Sequence, residues 1–318
     1  PAGMAASAYL TQNGYQVDVY EKNDRAGGLM IYGIPNFKLD KKIVERRTEW
    51  LTDSGVVFNL NTEVGKNISF QDLEKDYDAI LIATGVYKAR QLDIDTSSVS
   101  NSIPALDFLI ESNRTGLGDS PSKNKYLTAK NKHVVVIGGG DTAMDCVRTA
   151  IRQQAKEVTC LYRRNKENMP GSAREVLNAE QEGIKFNWLS VPSKIISDNF
   201  TATIMTYKVA TVGEVDESGR RKPIDTGVEK QIKSDLIIQA LGFEPEDLNH
   251  IFKTNIELTS WKTIKVDFKK FQTSNPKIFA AGDIVRGASL VVWAIHDGRE
   301  VAKSIHNFLQ SSKIKKAS

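Results

Sequence analysis

Residues 133–143 read His133-Val134-Val135-Val136-Ile137-Gly138-Gly139-Gly140-Asp141-Thr142-Ala143. The apolar run suits a strand covered on both faces. Gly138 permits a tight turn and Gly140 leaves room for phosphates to approach, with Gly139 between them. Ala143 stands where a helix packs on the strand. Backbone N–H groups of this turn and the N-terminus of the helix that follows, with Asp141 and Thr142 at its start, can face a pyrophosphate. The pattern predicts strand 133–137, helix 142–153 and strand 157–162, one βαβ unit built to hold a dinucleotide. A merely tight strand-to-helix turn is the lesser alternative.

The end of the second strand decides which dinucleotide. An acid there would hold a ribose 2′-hydroxyl, but the chain has Tyr162-Arg163-Arg164. A guanidinium suits a 2′-phosphate, which points to NADP(H) over NAD. Two solvated arginines on a polar loop are the bland alternative, and Arg174 is a weaker candidate for the same pocket.

A second unit of this kind is expected at the start. Pro1-Ala2-Gly3 opens a helix over 4–13, and strand 17–20 ends in Glu21, placed to accept hydrogen bonds from an adenosine ribose. Gly27-Gly28-Leu29 allows close backbone approach to a bulky ligand. The first strand and leading glycines of this unit are expected to be missing, as in a fragment or a processed chain. Three more apolar runs end in ligand-edge turns: 79–83 in Thr84-Gly85, 236–240 in Leu241-Gly242, and 277–281 in Gly282-Asp283. Asp283 suits a polyol such as a ribityl chain, or else simply caps a turn.

The remaining segments give an amphipathic helix 40–54 with Asp40 as cap and Ile43, Val44, Trp50 and Leu51 as its apolar positions, strand 56–60, helix 104–112, a hairpin over 200–230 turning at Asp216-Glu217-Ser218-Gly219, and helix 289–310 with Val292, Ile295, Val301, Ile305 and Leu309 at helical spacing. The 318 residues carry a net charge of +4 with both signs interspersed, which argues against nucleic-acid binding. The tail Lys313-Ile314-Lys315-Lys316 reads as a solvated end. No apolar run is long enough to span a membrane, and the start does not read as a signal peptide. Cys146 and Cys160 form no Cys-x-x-Cys pair and read as buried structural residues of a reducing cytoplasm. The four histidines have no metal-ligand spacing, and His296 and His306 read as surface residues. Trp293 reads as a packing residue, with a stack on a cofactor left open.

Longer stretches carry a resemblance. Gly138 to Arg148, Tyr162-Arg163-Arg164, Glu167-Asn168-Met169-Pro170-Gly171-Ser172, Tyr32-Gly33-Ile34-Pro35-Asn36-Phe37-Lys38-Leu39, Gln272 to Phe279 and Ala281 to Gly287 closely resemble the small (beta) subunits of bacterial glutamate synthase. The resemblance implies an α/β fold of two Rossmann-like FAD/NAD(P)-binding domains. The first, for FAD, is discontinuous (about 1–95 and 242–318) and lacks its first strand; the NADPH domain (96–241) is inserted. It implies that NADPH reduces FAD and that electrons leave through iron–sulfur centres, ligated in a region missing upstream, to a large (alpha) subunit that makes glutamate. By carry-over Gly3, Glu21, Gly28, Leu29, Gly85, Gly282 and Asp283 contact FAD. Gly138, Gly139, Gly140, Asp141, Thr142, Arg163, Arg164 and Gly242 complete the cofactor-binding set. No side chain is assigned as a catalytic acid or base. The missing strand implies a weaker hold on FAD than on NADP(H). Other readings keep the electron path and change the acceptor to ferredoxin or a pyrimidine-reducing partner, or make the chain a non-catalytic nucleotide-binding fragment.

Overall fold

The computed structural model describes residues 1–97, 99–215 and 221–317, without the side chains of 312–317. The chain forms two compact units. The first comprises residues 1–31, 39–88 and 243–318; the second comprises residues 32–38 and 89–242.

The second unit is built on a parallel five-stranded sheet. Its order is Ser102–Pro104, Leu236–Gln239, His133–Ile137, Glu157–Leu161, Lys185–Asn187. Val134, Val135 and Val136 are almost wholly buried, which explains why that strand reads as a continuous apolar run. Helix Asp141–Arg152 covers one face of this sheet through Ala143, Met144, Cys146, Val147 and Ala150. Val135, Ile137, Leu161 and Ile237 point to the other face and pack on Ala202, Met205 and Tyr207. Those three belong to an antiparallel sheet of Ser190–Asp198, Thr201–Val215 and Arg221–Lys233. The hairpin expected over 200–230 is therefore two strands of three; its turn, 216–219, lies outside the described residues. The extra strand starts with Ser190-Val191-Pro192, and the register shifts beside Pro192, which cannot donate to a ladder.

Residues Tyr32 to Lys38 pack in the second unit, although they lie between segments of the first. Lys38 Nζ sits 2.5 Å from Asp145 and also pairs with Glu175. The Phe37 ring lies under the guanidinium groups of Arg148 and Arg152, at 4.8 and 3.9 Å. Asn113 donates to the Tyr32 carbonyl at 2.8 Å. The strap is thus fastened to the helix whose N-terminus carries the glycine turn.

In the first unit two parallel strand pairs lie in separate sheets. Asp18–Tyr20 pairs with Val57–Asn59, and Ile80–Ile82 with Ile278–Ala280. Helix Ala2–Gln12 crosses helix Val291–Ala317 closely: a side chain at Gly298 would run into the Ala2 carbonyl. Ala2, Ala6, Phe279, Val301 and Ile305 build the core there. Helix Lys41–Asp53 is capped as expected, Asp40 accepting from the Lys42 N–H at 3.0 Å. Of its four apolar positions Val44 and Leu51, seven residues apart, are buried; Ile43 and Trp50 are exposed, since each sits one position off that stripe. Val292 is likewise exposed, unlike Val301 and Ile305.

Candidate nucleotide sites

In the second unit each glycine of the turn has a different reason to be there. Gly138 has φ +144°, and a Cβ on it would overlap the Ala240 carbonyl. A Cβ on Gly139 would overlap the Tyr162 ring. At Gly140 a Cβ would meet nothing within 4 Å. The first two glycines are therefore required by packing inside the protein, whereas Gly140 borders open space. It also caps helix Asp141–Arg152 without a side chain in the way, so the first N–H groups of the helix are available to an anion.

Two features here were not read from the sequence. Tyr162, buried, donates from its hydroxyl to the Asn168 carbonyl at 2.8 Å. The segment that follows folds back on the turn, Gly171 N–H donating to the Gly139 carbonyl at 2.9 Å and Ser172 N–H to Asp141 Oδ1 at 2.9 Å. One Asp141 oxygen thus has a structural duty. The signal for the fold-back was Pro170-Gly171-Ser172, a turn tripeptide.

The two arginines after strand Glu157–Leu161 part company. Arg163 is exposed. Arg164 is buried, its Nε donating to the Arg221 carbonyl at 2.6 Å, so it braces the neighbouring strand Arg221–Lys233. Thr142 is half-buried and Arg174 exposed. Gly242, at φ +89°, accepts from the Arg90 N–H at 3.1 Å. The open flank of Gly140, the helix N-terminus and an exposed arginine at the strand end fit a dinucleotide phosphate.

In the first unit Gly28, Gly85 and Gly282 all hold positive φ (+56°, +75° and +79°), which a Cβ would strain. Gly3 lies in helix Ala2–Gln12, its missing Cβ 3.7 Å from the Ala83 methyl, and Leu29 begins the short helix Leu29–Tyr32. Glu21 Oε1 accepts from Asn23 N–H at 2.9 Å and from Asn23 Nδ2 at 2.7 Å. Asp283 accepts from the Ser289 hydroxyl at 2.8 Å, and burial raises its pKa from the ordinary value. Beyond it, Arg286 grips the fully buried Asp297 through two nitrogens at 2.5 and 2.7 Å, fixing the turn into helix Val291–Ala317. Trp293 is half-exposed under Arg286, at 5.6 Å, so it is not the packing residue expected. His306 is half-buried, its Nδ1 3.1 Å from the Tyr15 hydroxyl, while His296 is exposed. The glycine-lined backbone and the two acids Glu21 and Asp283 fit a ribose-bearing cofactor.

Residues 1–298 match the family model described as pyridine nucleotide-disulphide oxidoreductase. The chain belongs to the pyridine nucleotide-disulphide oxidoreductase family. Within that family it is 49% identical over 315 residues to the glutamate synthase [NADPH] small chain of Azospirillum brasilense, covering 98% of this chain and 65% of that protein. It is 51% identical over 311 residues to the putative glutamate synthase [NADPH] small chain of Cereibacter sphaeroides, covering 97% of this chain and 75% of that one. Its fold is that of Mycobacterium tuberculosis FprA, solved in complex with NADPH: the TM-score is 0.78 at 18% identity, over 99% of this chain and 84% of that one.

Unlike a dithiol member of such a family, this chain presents no reactive cysteine pair. Cys146 and Cys160 are both buried and free; burial lifts the Cys146 thiol well above its ordinary value and pushes Cys160 up to about 12. Among the described residues no cluster of three or more His, Cys, Asp or Glu could hold a metal ion, and no helix is long and apolar enough to cross a membrane.

Proposed function

We propose that this chain is the NADPH-oxidising flavoprotein part of a glutamate synthase small subunit. NADPH is taken by the second unit and FAD by the first. Electrons then leave through iron–sulfur centres outside this chain to the large subunit for glutamate synthesis. The observation that carries the reading is the asymmetry of the glycine turn. Gly138 and Gly139 are closed by the protein's own packing, whereas Gly140 faces open space at a helix N-terminus, and an exposed Arg163 follows the adjacent strand. The near-50% identity to two glutamate synthase small chains supports the acceptor.

The bound pair of cofactors supplies the hydride transfer itself. The chain's residues bind and orient. The first N–H groups of helix Asp141–Arg152 receive pyrophosphate charge, and Arg163 receives the 2′-phosphate. Glu21, whose Oε2 has no hydrogen-bond partner among the described residues, receives ribose hydroxyls. Asp283 holds the polyol end. No side chain is needed as a proton donor or acceptor for a hydride step, so rate depends on placement. The test is an anaerobic titration of the purified protein with NADPH and with NADH, following loss of flavin absorbance and reduction of an artificial dye. Preference for NADPH is expected; preference for NADH, or no response to either, overturns the reading.

A further inference from the structure

Tyr87 was given no role by the sequence, yet it stands at the centre of the first unit's glycine cradle. Its ring lies 3.0 Å from where a Cβ on Gly85 would be, and its hydroxyl 3.2 Å from where a Cβ on Gly28 would be. Two glycines in the left-handed region, on separate segments, thus leave the hole that one aromatic ring occupies. The Lys22 ammonium sits 5.2 Å above that ring and reaches Glu246 at 3.8 Å. Glu21, Asp283 and Glu246 are all near enough for their charges to act on the phenol.

We propose that Tyr87 is a cofactor-contacting residue of this site, donating from its hydroxyl to the stretch of dinucleotide between the ribose at Glu21 and the polyol at Asp283. The inference rests on the FAD reading of the first unit. It reassigns Gly28 and Gly85: their small size serves Tyr87 first, and the cofactor meets the phenol. Three observations converge on it. The phenol has no hydrogen-bond partner among the described residues, so its donor is unspent. Its neighbours Glu21 and Asp283 are the two acids expected to hold opposite ends of the ligand's sugar–phosphate chain. Burial, followed by the charges of Glu21, Asp283 and Glu246, keeps the phenol protonated far above neutral pH, so it stays a donor and never adds an anion beside a pyrophosphate.

The test uses the full-length protein stripped of FAD, in wild type and in Tyr87→Phe and Tyr87→Ala forms. FAD affinity is measured by titration, and the environment of position 87 by fluorine NMR of fluorotyrosine-labelled protein, with the Tyr87 resonance assigned by its absence from Tyr87→Phe. The expected result is that Tyr87→Phe keeps the unfolding midpoint of the FAD-free protein while loosening FAD about fivefold or more, the scale of one lost hydrogen bond. Tyr87→Ala loosens FAD further, and the Tyr87 resonance shifts on adding FAD. Unchanged affinity in Tyr87→Phe together with an unshifted resonance overturns the proposal while leaving the FAD reading intact. Wild type that takes up no FAD overturns both.

Discussion

The ring of Tyr162 fills the space that any side chain at position 139 would need. The ring cannot step aside, because its hydroxyl is tied to the Asn168 carbonyl and its edge meets Trp188 at a centroid distance of 6.3 Å. The strand end and the glycine turn are therefore one packed object, and the turn's shape depends on a residue more than twenty positions away.

Gly139→Ala is expected to overpack this contact and cost about 1–3 kcal/mol of stability. A denaturant midpoint measured on wild type and variant checks it. Tyr162→Leu in the Gly139→Ala background should recover part of the loss, because the obstructing ring is gone.

Gly140→Ala should separate binding from folding. The new methyl meets nothing within 4 Å, and the loss of unfolded-chain freedom, about 0.4–1 kcal/mol, offsets the poorer cap. The unfolding midpoint is expected to stay near that of wild type while NADPH affinity falls at least about tenfold, since the methyl occupies the phosphate's approach. Calorimetric titration with NADPH measures this. An unchanged affinity would remove the phosphate from this turn.

The two arginines are expected to behave differently. Arg163→Ala should cut the preference for NADPH over NADH by about tenfold or more, the scale of one charge-assisted contact. Arg164→Ala should instead lower stability, because its Nε holds the Arg221 carbonyl. Ratios of kcat/KM for the two coenzymes, set beside melting curves, distinguish the roles.

Acid should loosen the contact between helix Asp141–Arg152 and helix Ala173–Gln181. Burial alone would raise the Glu182 pKa, but hydrogen bonds from Arg152 and Arg148 outweigh it and hold the carboxyl at about 2. A pKa depressed in the folded state gives stability that is full above the unfolded carboxyl range and is lost as pH falls from about 5 towards 2. The expected loss is on the order of 1–3 kcal/mol, and Glu182→Gln should flatten that part of the profile. Urea midpoints taken between neutral pH and pH about 3 read it out.

Thiol reagents should find nothing to react with in the native state. Both cysteines are fully buried and both thiols are held protonated. A disulfide-forming aromatic reagent should titrate no thiol in the folded protein and two after denaturation. Rapid native reaction at either residue would contradict their burial.

Local sequence determined what local physics controls. The apolar run Val134-Val135-Val136, the three glycines and the helix after them are short-range features, and each lies where the pattern put it. Two nucleotide-type units in one α/β chain were legible for the same reason. Burial on helices was less legible. Ile43, Trp50 and Val292 are apolar but exposed, because the inward stripe of a helix is chosen by the neighbour it meets. Tertiary structure alone decided the finer points. It split Arg163 from Arg164, since only folding buries Arg164 and brings the Arg221 carbonyl to its Nε while Arg163 stays exposed. It laid the Tyr32–Lys38 segment against two helices of the second unit through Asp145 and Glu175, more than a hundred residues downstream. It set Tyr87 into a hole made by Gly28 and Gly85, a juxtaposition across almost sixty residues that no window of sequence contains. Periodicity and turn chemistry act over a few residues, whereas which side chain fills which vacancy depends on contacts that exist only once the chain has closed on itself.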